Sequence, residues 1–226
     1  MARVEVEHRQ VKIVEGKIEL EGDLAMPLDP TGLVIFAHGS GSSRHSPRNR
    51  AVAGQLNQAS LATLLMDLLT SEEEAVDQYN AALRFDIDLL AMRVSMARQW
   101  ASEQDDWLSE LPVGYFGAST GAAAALVAAA QRPQGVRAVV SRGGRPDLAG
   151  AYLSEVQAPT LLIVGGEDRA VIQMNREASG MMQCPNELVI VPGATHLFEE
   201  PGALEQVASH AADWFARNMP ARRAAG

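Results

Sequence analysis

Leu111-Pro112-Val113-Gly114-Tyr115-Phe116-Gly117-Ala118-Ser119-Thr120-Gly121 is the stretch on which the fold of this chain turns. A short apolar strand, Val113 to Phe116, runs directly into a G-x-S-x-G sequence, Gly117 to Gly121. The small, helix-favouring residues Ala122 to Ala130 follow. Strand, tight glycine-flanked turn and helix together are the context in which a serine hydroxyl is held exposed on a strained turn as a nucleophile. Five residues alone are compatible with an ordinary Gly/Ser turn, so their meaning depends on what the rest of the chain supplies.

Upstream, Val11 and Ile13 alternate with polar residues, Glu15-Gly16 can turn the chain, and Ile18 and Leu20 alternate again, which predicts an antiparallel hairpin. From Gly32 onward the pattern changes to short, fully apolar runs: Leu33 to Ala37, Ala62 to Leu69, Val113 to Phe116, Val136 to Val140, Thr160 to Val164 and Leu188 to Val191. Such runs, without alternation, are what strands buried on both faces of a parallel sheet require. Helical periodicity lies between and after them. Arg84 to Gln104 places Phe85, Leu89, Met92, Met96 and Trp100 at intervals of three and four, and Ala203 to Met219 does so with Leu204, Val207, Ala211, Trp214 and Met219. Ser71 with Glu74 reads as a capping box for a short helix over Thr70 to Asn80. Strand then helix, repeated, predicts right-handed crossovers around a mostly parallel sheet with helices on both faces. The interval Arg142 to Pro159 has room only for a short helix and loops, so no large cap domain is expected and the site should be open.

In an open parallel sheet, functional groups collect where the strands end at their carboxyl side. His38-Gly39-Ser40-Gly41-Ser42-Ser43 follows the first apolar run, Ser119 follows Val113 to Phe116, Gly165-Gly166-Glu167-Asp168 follows Thr160 to Val164, and Pro192-Gly193-Ala194-Thr195-His196 follows Leu188 to Val191. A serine hydroxyl near neutral pH needs an adjacent base, and His196 is the candidate. An imidazole base needs a partner that fixes its tautomer and stabilises its cation, and Asp168 is the candidate. Glu167 and Asp147 are the competing acids. The order Ser119, Asp168, His196 is the order Ser, acid, His.

On these residues the chain resembles the α/β-hydrolases, in particular the cap-free dienelactone hydrolase-like group of small esterases. The likeness extends over essentially the whole chain, from the hairpin to the helix after His196. It implies an α/β-hydrolase fold and a catalytic triad of Ser119, Asp168 and His196. It also implies an oxyanion hole made by the backbone amides of Ser40 and Thr120, with His38 shaping the turn. Dienelactone hydrolases proper carry cysteine at the elbow, whereas this chain has Ser119, so the resemblance implies serine-esterase behaviour rather than that lactone activity. The same triad would also suit a thioesterase, a lactonase or an acyltransferase, and the fold alone would suit a non-catalytic binding module.

Composition sets limits around this expectation. The chain has 226 residues, 47% hydrophobic and 21% charged, which suits one domain over residues 1–226. A net charge of −9, with no continuous basic stripe, argues against nucleic acid or an anionic membrane as partner; the partner that the resemblance implies is a small-molecule ester. The oligomeric state is open. Cys184, the one cysteine, can form no internal disulfide, and no paired Cys/His spacing suggests zinc. No metal or organic cofactor is therefore expected. The charged N-terminus lacks the apolar core of an export signal, and a cytoplasmic protein is expected. Arg44 and Arg48 are candidates for binding an anionic substrate or for internal pairing with Asp67 or the Glu72 run, and His45 reads as part of a solvated loop.

Overall fold

The computed structural model describes residues 4–104 and 107–219; residues 1–3, part of the N-terminus read above for an export signal, lie outside it. The predicted hairpin is present and longer than its apolar alternation marks. Strands β1 (Val6–Glu15) and β2 (Ile18–Pro27) pair antiparallel about Gly16, with Ile13 and Leu20 turned into the core. β2 continues antiparallel onto β4 (Ala62–Met66), and from there the sheet is parallel: β3 (Leu33–Ala37), β5 (Val113–Ala118), β6 (Val136–Arg142), β7 (Thr160–Gly165) and β8 (Asn186–Val191). The order across the sheet is β1-β2-β4-β3-β5-β6-β7-β8, with β1 and β8 at its margins.

The apolar runs are strands because both of their faces are covered. On one face, helices α1 (Pro47–Gln58) and α6 (Ala203–Asn218) lay Val52, Leu56, Val207, Trp214 and Phe215 against Phe36, Phe116 and Ile163. On the other, α3 (Ile87–Ser102) and α4 (Thr120–Gln131) pack on Leu33, Ile35, Tyr115 and Val139. α5 (Arg169–Met181) follows β7, and a 3-10 segment, Pro146–Glu155, is the whole of the connection that could have carried a cap. α4 is buried along nearly its entire length, which its run of alanines permits because small side chains let the backbone approach its neighbours closely.

Two local expectations need correction. The capping box of α2 (Ser71–Asn80) is made by Thr70 and Glu73, one residue earlier than Ser71 and Glu74: the Glu73 amide donates to Thr70 Oγ1 at 3.2 Å and the Thr70 amide to Glu73 Oε2 at 2.9 Å. The helix expected over Arg84 to Gln104 is a 3-10 turn at Leu83–Phe85 followed by α3, and it buries Leu90, Val94, Ala97 and Ala101 while Phe85 and Met92 are exposed.

Candidate active site

Ser119 has φ 51° and ψ −121°, a conformation that L-residues rarely adopt and that turns β5 sharply into α4. Hydrogen bonds on both sides hold it there. Its amide donates to the Arg142 carbonyl at 3.2 Å, and its carbonyl accepts from the amides of Ala122 and Arg145, both at 3.1 Å. The flanking glycines are required by close approach: a Cβ on Gly117 would collide with the backbone of Ala122, and one on Gly121 with the carbonyls of Ala37 and His38.

Asp168 and His196 come from the ends of β7 and β8. The two loops are laced together, the Gly166 amide donating to Val191 at 2.8 Å and the Glu167 amide to Ala194 at 3.0 Å, and a side chain at Gly165 would strike the Ala194 and Thr195 carbonyls. Across this junction Nδ1–H of His196 donates to Oδ2 of Asp168 at 2.6 Å. That bond fixes the tautomer and leaves Nε2 as the basic nitrogen. Thr195 anchors the loop, its hydroxyl donating to Glu200 at 2.6 Å and its amide at 3.1 Å; those bonds hold the Glu200 carboxyl below its ordinary pKa. Cε1 of His196 is 3.6 Å from where a Cβ on Gly143 would stand, and Gly143 follows Arg142, whose carbonyl holds the Ser119 amide. Of the competing acids, Glu167 is exposed and Asp147 is bound by Arg145 at 2.7 Å.

The loop after β3 meets this group from the other side. His38 is structural in its bonding: Nδ1–H donates to Gly39 O at 2.9 Å and Nε2 accepts the Leu68 amide at 3.2 Å, while burial pushes its pKa down and keeps it neutral. A Cβ on Gly39 would stand 3.1 Å from that of Ser119, so the loop passes against the elbow. The Ser40 amide, expected as an oxyanion donor, donates to Thr120 Oγ1 at 2.9 Å. Thr120 opens α4, where a first-turn amide has no intrahelical acceptor. Beyond Ser40 and Thr120 lies a cavity of about 40 Å³ walled by Leu68, Leu69, Leu90, Asp77 and Arg84.

The arginines divide. Arg44 is withdrawn from any substrate role by its own charge partners: its guanidinium pairs with Asp67 and Glu21 and lies 3.6 Å from Asp23, and its amide donates to Asp67 at 2.8 Å. It is a clamp between β2 and the end of β4. Arg48 pairs with Glu199 at 3.2 Å, so it faces the His196 loop at the rim. His45 is exposed, as expected, with Arg50 at 2.6 Å. The feature that strand-end reading passed over is Arg142, a cation buried at the end of β6; its signal was an arginine two residues past the apolar run that ends at Val140. Among the described residues no group of three or more His, Cys, Asp or Glu is placed to hold a metal ion, and no helix is long and apolar enough to cross a membrane.

Comparison with known proteins agrees with this architecture. The model of the dienelactone hydrolase family matches residues 24–220. The crystal structure of a dienelactone hydrolase from Anabaena variabilis is 57% identical, with a TM-score of 0.92 over 95% of this chain and 99% of that one. Est1E from Butyrivibrio proteoclasticus, at 18% identity and a TM-score of 0.75 over 92% of this chain and 98% of that one, shares the fold. Two Mycobacterium tuberculosis proteins under the provisional name phosphoribosyl transferase are 59% identical over 206 residues, 91% of this chain. The chain spans only 45% of the length of those relatives.

Proposed function

The chain belongs to the dienelactone hydrolase family, and from that premise we propose that it is a serine hydrolase cleaving small carboxylic esters through an acyl-enzyme. One observation supports this reading: Ser119 is held in a strained turn at the end of β5, while at the end of β8 His196 donates Nδ1–H to Asp168 at 2.6 Å. In this scheme Ser119 Oγ attacks the acyl carbon while Nε2 of His196 takes its proton. The imidazolium is stabilised by Asp168 and then protonates the leaving alcohol. Water, activated by the same nitrogen, releases the acid and restores Ser119. The amides of Thr120 and Ser40 receive the oxyanion, a contribution of about 3 kcal/mol per donor in comparable sites. Ser40 reaches it by exchanging the Thr120 hydroxyl for a charged acceptor, and charge-assisted hydrogen bonds are roughly twice as strong as neutral ones. The cavity beyond Thr120, with room for only a few water-sized groups, supports a short acyl chain.

The phosphoribosyl transferase name belongs to proteins more than twice as long, and we assign the matched portion the hydrolase role. Lactones and thioesters would use the same acyl chemistry and belong in the substrate panel, as do competing alcohols that would reveal acyl transfer. The test is direct. A fluorophosphonate is expected to add its mass to Ser119, and Ser119→Ala is expected to lower kcat/KM for a p-nitrophenyl ester by about 10⁴-fold or more with an unchanged circular dichroism spectrum. A folded wild-type protein that neither reacts with the probe nor turns over esters would instead be a binding module, and normal turnover by Ser119→Ala would remove Ser119 as nucleophile.

A further inference from the structure

The cavity beyond Ser40 and Thr120 is bordered by a guanidinium that the proposed chemistry leaves unused. Arg84 lines it, and Nη1 of Arg84 is 3.8 Å from where a Cβ on Gly41 would stand, so that nitrogen faces the oxyanion loop. The rest of the side chain is fixed. Nε donates to Oδ2 of buried Asp77 at 2.5 Å and Nη2 to the Asp77 carbonyl at 2.9 Å, while Oδ1 of Asp77 accepts the Leu83 and Arg84 amides at 2.8 and 3.0 Å. Nη1 makes no hydrogen bond among the described residues, and with the side chain 26% exposed this donor is open. A donor held in place before a ligand arrives loses little freedom on binding.

Charge decides what Nη1 can receive. Burial raises the Asp77 pKa, but the bonds from Arg84 and Leu83 outweigh it, so Asp77 is ionised and cancels Arg84. Asp67, also in the wall, is paired with Arg44. Glu74 is the remainder: it lines the cavity, forms no ion pair among the described residues, and its charge acts on His38. A carboxylate entering here would meet Glu74 and a guanidinium already neutralised, and juxtaposed like charges are costly. A neutral oxygen meets no such penalty. A methylene in its place would cover the donor without satisfying it.

We propose that this cavity is a subsite for a short acyl group bearing a neutral oxygen, as a hydroxyl, ether or keto group, with Arg84 Nη1 as the donor that selects it and Glu74 as the charge that turns acidic acyl groups away. The remaining wall, Leu68, Leu69 and Leu90, is apolar, and the volume of about 40 Å³ admits only a few heavy atoms. That the ligand is an acyl group rests on the ester hydrolysis proposed above. Its recognition through a neutral oxygen does not, and can be tested without turnover.

Ethyl butyrate, ethyl methoxyacetate, ethyl 3-hydroxybutyrate and monoethyl succinate would be hydrolysed in a pH-stat by the full-length wild type, Arg84→Met and Glu74→Gln. Intrinsic reactivity cancels when the ratio of kcat/KM for each ester to that for ethyl butyrate is compared between proteins. The ratios for the two neutral oxygenated esters are expected to fall about tenfold in Arg84→Met, the effect of losing a hydrogen bond to a charged group. The succinate ratio is expected to rise severalfold in Glu74→Gln. Oxygenated-ester ratios unchanged in Arg84→Met, or a succinate ratio unchanged in Glu74→Gln, overturn the proposal. Where no ester is cleaved, binding decides. In ¹H–¹⁵N spectra of the wild type, the Arg84 Nε–H resonance is expected to shift saturably with 3-hydroxybutyramide and to stay in place with butyramide or succinamate. A protein that cleaves no ester yet shows that shift loses the hydrolase reading and keeps the subsite; one that shows neither loses both. If Arg84→Met does not fold, the wild-type resonance and the Glu74→Gln ratio decide in its place.

Discussion

Ser119 keeps a backbone conformation that costs of order 1–3 kcal/mol because Arg142, Ala122 and Arg145 each hold one of its peptide groups. The motif made that position legible, since only a sharp turn between strand and helix calls for glycines on both sides of a serine. The state of the oxyanion loop was not legible in the same way. That Thr120 Oγ1 occupies the Ser40 amide depends on one side-chain rotamer, and no spacing in the sequence encodes it. Tyr115 shows the reverse case, a polar atom in a strand read as wholly apolar. Its ring is fully buried, its hydroxyl has no hydrogen-bond partner among the described residues, and burial raises its pKa. Because an unsatisfied buried hydroxyl costs free energy, Tyr115→Phe is expected to leave stability unchanged or raise it by about 1 kcal/mol, measured as the urea midpoint.

At the scale of elements, α2 and α3 carry the instructive errors. Thr70-Ser71-Glu72-Glu73-Glu74 fits the capping box in two frames, and the chain uses the one that also lets Glu73 accept from Arg93 on α3 at 2.6 Å. Thr70→Ala is expected to cost about 1 kcal/mol of stability, again from the urea midpoint. The stripe expected on α3 shares Met96 with the buried face, which otherwise includes Leu90, Val94 and the small residues Ala91, Ala97 and Ala101 that the large-residue spacing did not count. That face packs on the alanines of α4, and closely packed helices bury small residues while larger ones such as Met92 are left outside. Asp77, at the end of α2, is nearly buried. Burial alone would raise its pKa, but the Arg84 amide and guanidinium and the Leu83 amide outweigh it and hold the carboxyl below its ordinary range. A depressed carboxylate stabilises the fold above the unfolded-chain value of about 3.9 and ceases to do so as the pH falls through the lower folded value. The stability gap between wild type and Asp77→Asn is therefore expected at pH 7 and should narrow below about pH 4 in urea titrations.

For the molecule as a whole, the positions of Ser119, Asp168 and His196 were readable because a parallel sheet gathers its strand ends on one side. Successive strands are set about 4.8 Å apart; β7 and β8 are adjacent and β6 alone separates them from β5, so the loops after these strands open on the same edge whatever their separation in sequence. The pairing of Arg44 with Asp67 was among the readings of the sequence, but its further partners Glu21 and Asp23 were not readable, because they come to Arg44 only when β2 lies beside β4. The hairpin that achieves this also leaves the ten residues of β1 on the sheet's margin, and their side chains are mostly exposed and include Glu7, Arg9, Lys12 and Glu15. An unpaired strand edge is a template on which another molecule can add a strand, and charges along it oppose that addition. Replacing Glu7 and Lys12 with valine is thus expected to increase light scattering on storage while the proposed ester turnover per folded molecule stays the same. The mixed charges of the hairpin then act as a guard against amyloid-like growth, a colloidal duty carried by the margin of the sheet farthest in strand order from β8 and the imidazole that follows it.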